Sequence, residues 1–533
     1  MLRAIVRKEF QYHLSNPLLR VGMLLTLVLA AASTLIAVQD YNLRLHAYQD
    51  GVATHARVLR EQTVYSFLHP VVVRRPEPLS VLNQGSDARL GSDVAIHLFA
   101  IPAEATGGYR GNEFLITPPA ADLTAIVAVI LGLLALLVAH DAIQSERKGG
   151  SFPAMLAHGV PRGVLLAGKI LGGLLTLALP LAGALLVSLA IFVLQLEVTF
   201  SSSQWLRTAG LAASYLVYLS FMLLLGLFIS LSLHRRSQAL AVAVVAWLTA
   251  ILVLPRAVQT LAADLSGARE TRRTSERSAA ALLAERDRRL GEELRRDPLR
   301  TEFSGDYALS FGSGENRAVR YRFGSAAYYD ALSAYYRTEV AVGRRYAEAV
   351  FAEQQRSAAR LRAAEHLARA LAMASPASLL DEASEELAGT STADYDRFLA
   401  ACRSYRLDMI RYLEGKNAFA SWRWFTDDSP GRLQPWTRFL GLAPEEVKPG
   451  EVRRIFERFG DPETGSRLRR EQDLAERDPA RRLHIDDMPR FTNPDASPLD
   501  HLRRAAPDAL GLLFLNGLAC TAVVTRFRRW SSR

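Results

Sequence analysis

The chain has 533 residues, a formal net charge of +10, 50% hydrophobic and 22% charged residues, an average that looks like an ordinary soluble enzyme. The average conceals a split. Apolar residues concentrate in the first half and at the very end, whereas 256–502 is densely charged, so the chain reads as a polytopic membrane protein. Much of the positive excess sits beside apolar runs, where Lys and Arg fix orientation in a bilayer, and no basic patch with interleaved aromatics accompanies a reader motif, which argues against nucleic-acid binding. Cys402 falls in the charged region and Cys520 inside the last apolar run, a separation that predicts no internal disulfide.

In chain order, residues 1–20 read as an interfacial helix: Leu2, Ile5, Val6, Phe10, His13 and Leu14 fall on one face, and Arg3, Arg7, Lys8, Glu9 and Gln11 mostly on the other. Asn16-Pro17 breaks it. Residues 21–38 are long enough to cross a hydrocarbon core of ~30 Å. A signal peptide cut near Ala30-Ala31-Ala32 is the rival reading, but the apolar run continues through Leu35, Ile36 and Val38. Residues 39–120 read as a small mixed external loop with short strands at 71–73 and 95–101.

A second span is expected over 121–139, a cytoplasmic loop over 140–162, and a third span over 163–195, which Pro180 is expected to kink. Spans four and five cover 206–233 and 238–255, separated by His234-Arg235-Arg236, a basic turn that marks the cytoplasmic side. Residues 256–505 form an extracytoplasmic domain. Long helices are predicted over 261–294 and 326–373, shorter ones over 379–387 and 394–413, and loops with short helices over 418–498. A sixth span over 507–525 leads into the basic tail 526–533. The expected fold is an all-α polytopic membrane protein with six transmembrane helices, a mostly helical extracytoplasmic domain and both termini in the cytoplasm.

Few residues carry recognisable chemistry. Gly168-Lys169 is followed by Ile170 and Gly415-Lys416 by Asn417, so neither belongs to a phosphate-binding loop, and the chain is not expected to hydrolyse ATP by itself. No His-Glu-x-x-His pair, Gly-x-Ser-x-Gly elbow or Cys/His cluster at metal-ligand spacing occurs. The acid pairs Asp427-Asp428 and Asp486-Asp487 read as solvated turn residues. The chain is expected to be non-catalytic and to hold no cofactor.

The stretch that stands out is the polar island between spans two and three. Its bland reading is a charged loop that keeps two helix ends in water. Its pattern, however, is Asp141, Glu146-Arg147, Gly150, Val160-x-Arg162 and Gly168-Lys169-x-x-Gly172, and Phe152, Met155 and Leu156 suit a short helix lying on the membrane surface. This pattern resembles the segment after the second span in permease subunits of ABC transporters of the ABC-2, exporter-type class. Lys8-Glu9-Phe10 before a proline-ended helix resembles that family's elbow helix. The chain departs from the family at Gly159-Val160-Pro161, where a proline more often precedes the valine, and at Pro153, which shortens any helix there.

The resemblance implies that Asp141, Glu146, Arg147, Gly150 and Arg162 couple the subunit to a separate ATP-binding cassette ATPase, in two copies, which binds ATP and Mg. It also implies a second permease, identical or related, placement in a bacterial inner membrane among its lipids, and room for a periplasmic partner. Ser375-Pro376, Ala388-Gly389-Thr390, Tyr395, Phe398 and Met488-Pro489-Arg490-Phe491 are similar to a subgroup with a large external insert before the last span. The competing readings are a membrane-anchored structural or sensory protein whose external helices bind a partner, which would not need the 141–162 loop, and an intramembrane enzyme, for which the spans offer no facing set of polar groups.

Overall fold

The computed structural model describes residues 1–106, 122–144, 161–195, 201–233, 235–257, 260–261, 267–296, 308–310, 318–320, 326–373, 375–426, 466 and 481–530. Helix α1 (Leu2–Ser15) ends at Asn16, whose side chain accepts a hydrogen bond from the Leu18 amide at 3.0 Å and so caps α2 (Pro17–Arg60), with Pro17 in the first turn. The 44 residues of α2 reach about 65 Å at 1.5 Å per residue, well beyond a hydrocarbon core.

The sequence reading opens a loop at residue 39, but the helix runs on to Arg60. The extension is held from the side. Tyr41 and Leu45 are buried against Val81 and Phe192, and Arg44 pairs with Asp40 at 2.8 Å and Asp87 at 2.9 Å. Strand β1 (Val71–Val73) pairs antiparallel with β2 (Asp93–Ala95), in the register Val71 to Ala95 and Val73 to Asp93. The expected strand over 95–101 does not form. The carbonyls of His97 and Leu98 are taken by the Arg406 guanidinium instead of a neighbouring strand.

Helix α3 (Leu123–Ala139) is shorter than the other apolar helices and contains a π turn at Val127–Leu131. Asp122 caps it by accepting from the Ala125 amide at 2.8 Å. Carbonyls at the π turn find side-chain donors: Tyr218 Oη donates to Ala128 O at 3.0 Å and Trp247 Nε1 to Val129 O at 3.1 Å. Val129 O also accepts from the Gly132 amide, so in this apolar surrounding side-chain and backbone donors together make a non-α turn tolerable.

Helices α4 (Arg162–Gln195, containing Pro180), α5 (Ser202–Ser232, opened by a Ser201/Gln204 capping box) and α6 (Arg236–Ala257) follow. In the charged region α7 (Ala268–Arg296) and α8 (Ala326–Ala372) pack on each other, and between them in sequence β3 (Ala308–Ser310) pairs antiparallel with β4 (Ala318–Arg320). Helices α9 (Pro376–Ala388), α10 (Thr392–Gly415) and α11 (Pro498–Trp530) complete the set.

Five of these, α2, α4, α5, α6 and most of α11, are long and apolar enough to cross a membrane, with α3 as a shorter sixth apolar helix. Large apolar side chains stay exposed along them, among them Leu24, Ile36, Leu186, Val245 and Phe514. Lipid rather than water is the solvent that suits such surfaces. The protein is an all-α polytopic membrane protein.

The largest core is built from α3, α4 and α5, and it also takes in Leu379, Leu380, Leu387 and Ala388 of α9. That helix, part of the expected 256–505 domain, packs on α5 and α11. A second core places Val72 and Val94 of the β1–β2 ribbon and the adjoining Ile96 against Tyr395, Phe398, Leu399 and Cys402 of α10, so the segment between α2 and α3 and the late insert form one folded body. Cys402 is buried, Cys520 is exposed, and both are free thiols. Asp487 of the second acid pair meets Lys416 at 2.7 Å and accepts from Tyr412 Oη at 3.2 Å. Asp427 and Asp428 lie outside the described residues.

Candidate coupling site

The loop after α3 leaves the bundle through residues 140–144, and each neighbouring helix end holds it by a different atom. Lys169 on α4 donates its Nζ to Ala142 O at 2.8 Å. Gln144 Nε2 donates to Leu233 O at 3.0 Å and Ser230 O at 3.4 Å, satisfying carbonyls at the end of α5 that have no partner within the helix. Asp141 Oδ2 lies 3.2 Å from Arg236 Nη2 in the first turn of α6. Thus α4, α5 and α6 are all tied to a stretch of five residues.

Helix α1 is drawn into the same place by two glycines four residues apart on α4. A Cβ at Gly168 would lie 2.5 Å from Ile5 Cγ2, and one at Gly172 would lie 2.7 Å from Glu9 Cβ. Only hydrogen at these positions lets α1 lie directly on α4. The approach brings Glu9 Oε1 within 3.0 Å of Lys169 Nζ, both residues being 4% exposed.

His13 sits one turn further along α1, with Nε2 3.8 Å from Glu9. Burial, and then the nearby positive charge of Lys169, lower its pKa to about 4. At neutral pH the imidazole is uncharged, and the buried ion pair is Glu9 with Lys169. A paired and doubly hydrogen-bonded ammonium is the arrangement that makes a buried charge bearable.

This corrects the amphipathic reading of α1. Its buried face is Ile5, Glu9 and His13, whereas Leu2 is exposed. Apolarity alone puts Glu9 on the water side; a lysine from a helix far along the chain reverses that. The signals were present, as an acid and a histidine four residues apart and a lysine between two closely spaced glycines, but sequence alone does not pair them. Gln144 carried no signal, and Arg236 was legible only as part of the basic turn 234–236, not as a partner of Asp141.

Of the five residues expected to contact a partner, Asp141 belongs to this platform and Arg162 is exposed in the first turn of α4. Glu146, Arg147 and Gly150 lie outside the described residues. Among the described residues no group of three or more His, Cys, Asp or Glu side chains is placed to hold a metal ion. The arrangement offers mechanics: a fixed base carrying a loop, joined to four helices.

Comparison with known proteins bears on what that base serves. The family model described as "ABC-2 family transporter protein" matches residues 3–415. The chain belongs to this family. The ABC-2 match takes in α1, the 140–162 loop and the chain as far as the end of α10. The chain is also 44% identical over 79 residues, 15% of its length and 29% of the relative's, to a "Probable ABC transporter permease protein NosY" of Pseudomonas aeruginosa. It is 33% identical over 137 residues, 25% of its length and 48% of the relative's, to the protein of the same description from Stutzerimonas stutzeri. It thus spans less than half the length of each of these curated relatives.

Proposed function

We propose that this ABC-2 family chain is the permease subunit of an ATP-binding cassette transporter, in which a separate ATPase subunit binds ATP and Mg and drives the membrane helices through the 140–162 loop. The observation that carries this reading is the fixation of residues 140–144 to α4 and α5 by the buried Lys169 and Gln144. A loop pushed from below moves helices only if its base is rigidly joined to them, and a loop that merely ends two spans needs no such joints.

On this reading the loop end of the bundle, with α1, the Arg235-Arg236 turn and the basic tail, faces the cytoplasm of a bacterial inner membrane. All six apolar helices span, the insert lies in the periplasm, and a second permease copy or relative completes the pathway. The strokes export a substrate or perform mechanical work on a periplasmic partner.

The test is paired substitution in the loop. Glu146→Ala and Arg162→Ala should leave expression and membrane insertion intact, because both fall in a polar stretch of sequence, where removing one charge usually changes stability by no more than ~0.5 kcal/mol. Against an ATPase surface, loss of a buried, hydrogen-bonded charge costs about 2–5 kcal/mol of binding, so copurification of the ATPase or its coupled activity should fall. Glu197→Ala, at the connection between α4 and α5 and outside the described residues, serves as the control. Normal ATPase capture in both loop variants, or equal loss in the control, would refute the coupling role and leave a membrane-anchored interaction protein as the better reading.

A further inference from the structure

At the end of the bundle opposite the loop, three segments remote in sequence converge on the turn between α9 and α10. Helix α9 closes at Gly389, whose φ of +73° is left-handed, and α10 opens on Ser391, whose side chain accepts from the Asp394 amide. From α5 comes Arg207, 4% exposed, donating Nε to Leu387 O at 2.7 Å and Nη1 to Glu77 Oε1 at 3.0 Å. A Cβ at residue 389 would stand 2.4 Å from Arg207 Nη2, so glycine is needed there both for its backbone angle and for the room it leaves the guanidinium.

From α11 come His501, with Nδ1 2.9 Å from Glu386 O, and Arg504, 2.9 Å from Asp394 Oδ1 and 3.4 Å from Glu386 Oε2. From the segment before α3 comes Ser86, whose amide donates to Thr390 O at 3.2 Å and whose hydroxyl donates to Glu385 Oε2 at 2.9 Å. Its neighbour Gly85 has a φ of +48°, and a Cβ there would meet Thr390 Oγ1 at 2.5 Å.

We infer that the 385–394 turn is a permanent rigid junction that locks the external body to α5 and α11, with Arg207 as its positioning residue. Most of its bonds involve a charged partner and several are buried, which makes them stronger than neutral exposed ones and costly to break. Helix α5 has 31 residues, a rod of about 46 Å. One end accepts Gln144 from the base of the loop, and the other inserts Arg207 into the junction. A displacement delivered at the loop therefore moves the external body with α5 and α11 instead of leaving it behind on a flexible tether. The use of this rod in transport rests on the proposed ATPase coupling; the existence of the junction does not.

The experiment has two arms on the full-length protein in lipid nanodiscs. In the first, hydrogen exchange is compared between the wild type and Arg207→Gln. Amides of 84–87 and 387–395 should exchange about tenfold faster in the variant, the equivalent of one lost charge-assisted bond, while 165–177 at the loop end stays unchanged. Glu77→Gln added to Arg207→Gln should produce little further change, because Glu77 reaches the turn through Arg207. Unaltered exchange at the turn, or acceleration spread evenly over the chain, overturns the junction.

In the second arm Ser86→Cys and Thr390→Cys are combined with Cys402→Ala and Cys520→Ala, and the new pair is oxidised. A junction that never opens predicts that ATP hydrolysis by the copurified complex is retained after oxidation. Loss on oxidation with recovery on reduction shows that the turn must open, and overturns the inference. If the wild type captures no ATPase, the proposed coupling falls and the exchange arm alone decides the junction.

Discussion

Lys169→Met should be the most damaging single substitution at the loop end. The ammonium is 4% exposed, donates to Glu9 at 3.0 Å and to Ala142 O at 2.8 Å, and methionine fills similar space without either bond. What remains is a buried carboxylate without its counter-ion and a carbonyl without its donor, and breaking a buried pair from one side costs about 3–5 kcal/mol. The Asp141–Arg236 pair is a useful contrast, because its arginine side chain is 61% exposed. Solvent screening leaves such a pair worth about 0–1 kcal/mol, so Arg236→Ala should be nearly silent.

The assay is thermal unfolding of the purified chain in one fixed detergent, completed as a double-mutant cycle with Glu9→Gln. Glu9→Gln/Lys169→Met removes both charges and should recover much of the loss, with a coupling energy above about 1 kcal/mol. Additive losses in the double variant, or equal losses from Lys169→Met and Arg236→Ala, would refute the view that the platform depends on a buried ion pair.

Three further outcomes are expected. His13 is held neutral, with a pKa of about 4 against an ordinary 6.5, so the unfolded chain binds more protons in that window; stability is full above about pH 6.5, falls by up to ~3 kcal/mol as pH drops through the window and levels off below about 4. His13→Gln should flatten that part of the pH–stability profile. Gly172→Val should lift α1 from α4, since a Cβ would already sit 2.7 Å from Glu9 Cβ, and protease cleavage within residues 1–16 should become faster than in the wild type. Tyr218→Phe should cost about 0.5–1.5 kcal/mol in thermal unfolding, because it removes the hydroxyl that donates to Ala128 O at the π turn.

Hydropathy and local chemistry by themselves determined the broad plan. Long uninterrupted apolar runs require helices in lipid, Asn16-Pro17 marks a helix boundary, and the Ala, Leu, Glu and Arg composition over 326–373 needs no tertiary help to read as helix. The pattern around Asp141, Glu146 and Arg162 was equally local and pointed to the family that the chain joins.

Tertiary structure decided the features that depend on partners distant in the chain. Lys169 turns Glu9 inward, Arg406 removes two carbonyls from a would-be strand, and Tyr41, Arg44 and Val81 carry α2 past its apolar stretch. Helix α9 leaves the charged region to join the span core, because its buried face finds α5 and α11. For α9, and in part for α2, the deciding energy is apolar burial; for Glu9 and the 97–98 carbonyls it is a buried charge or carbonyl that must be satisfied. Sequence displays the group that has the need, but only the fold brings up, from 150 or more residues away, the group that meets it.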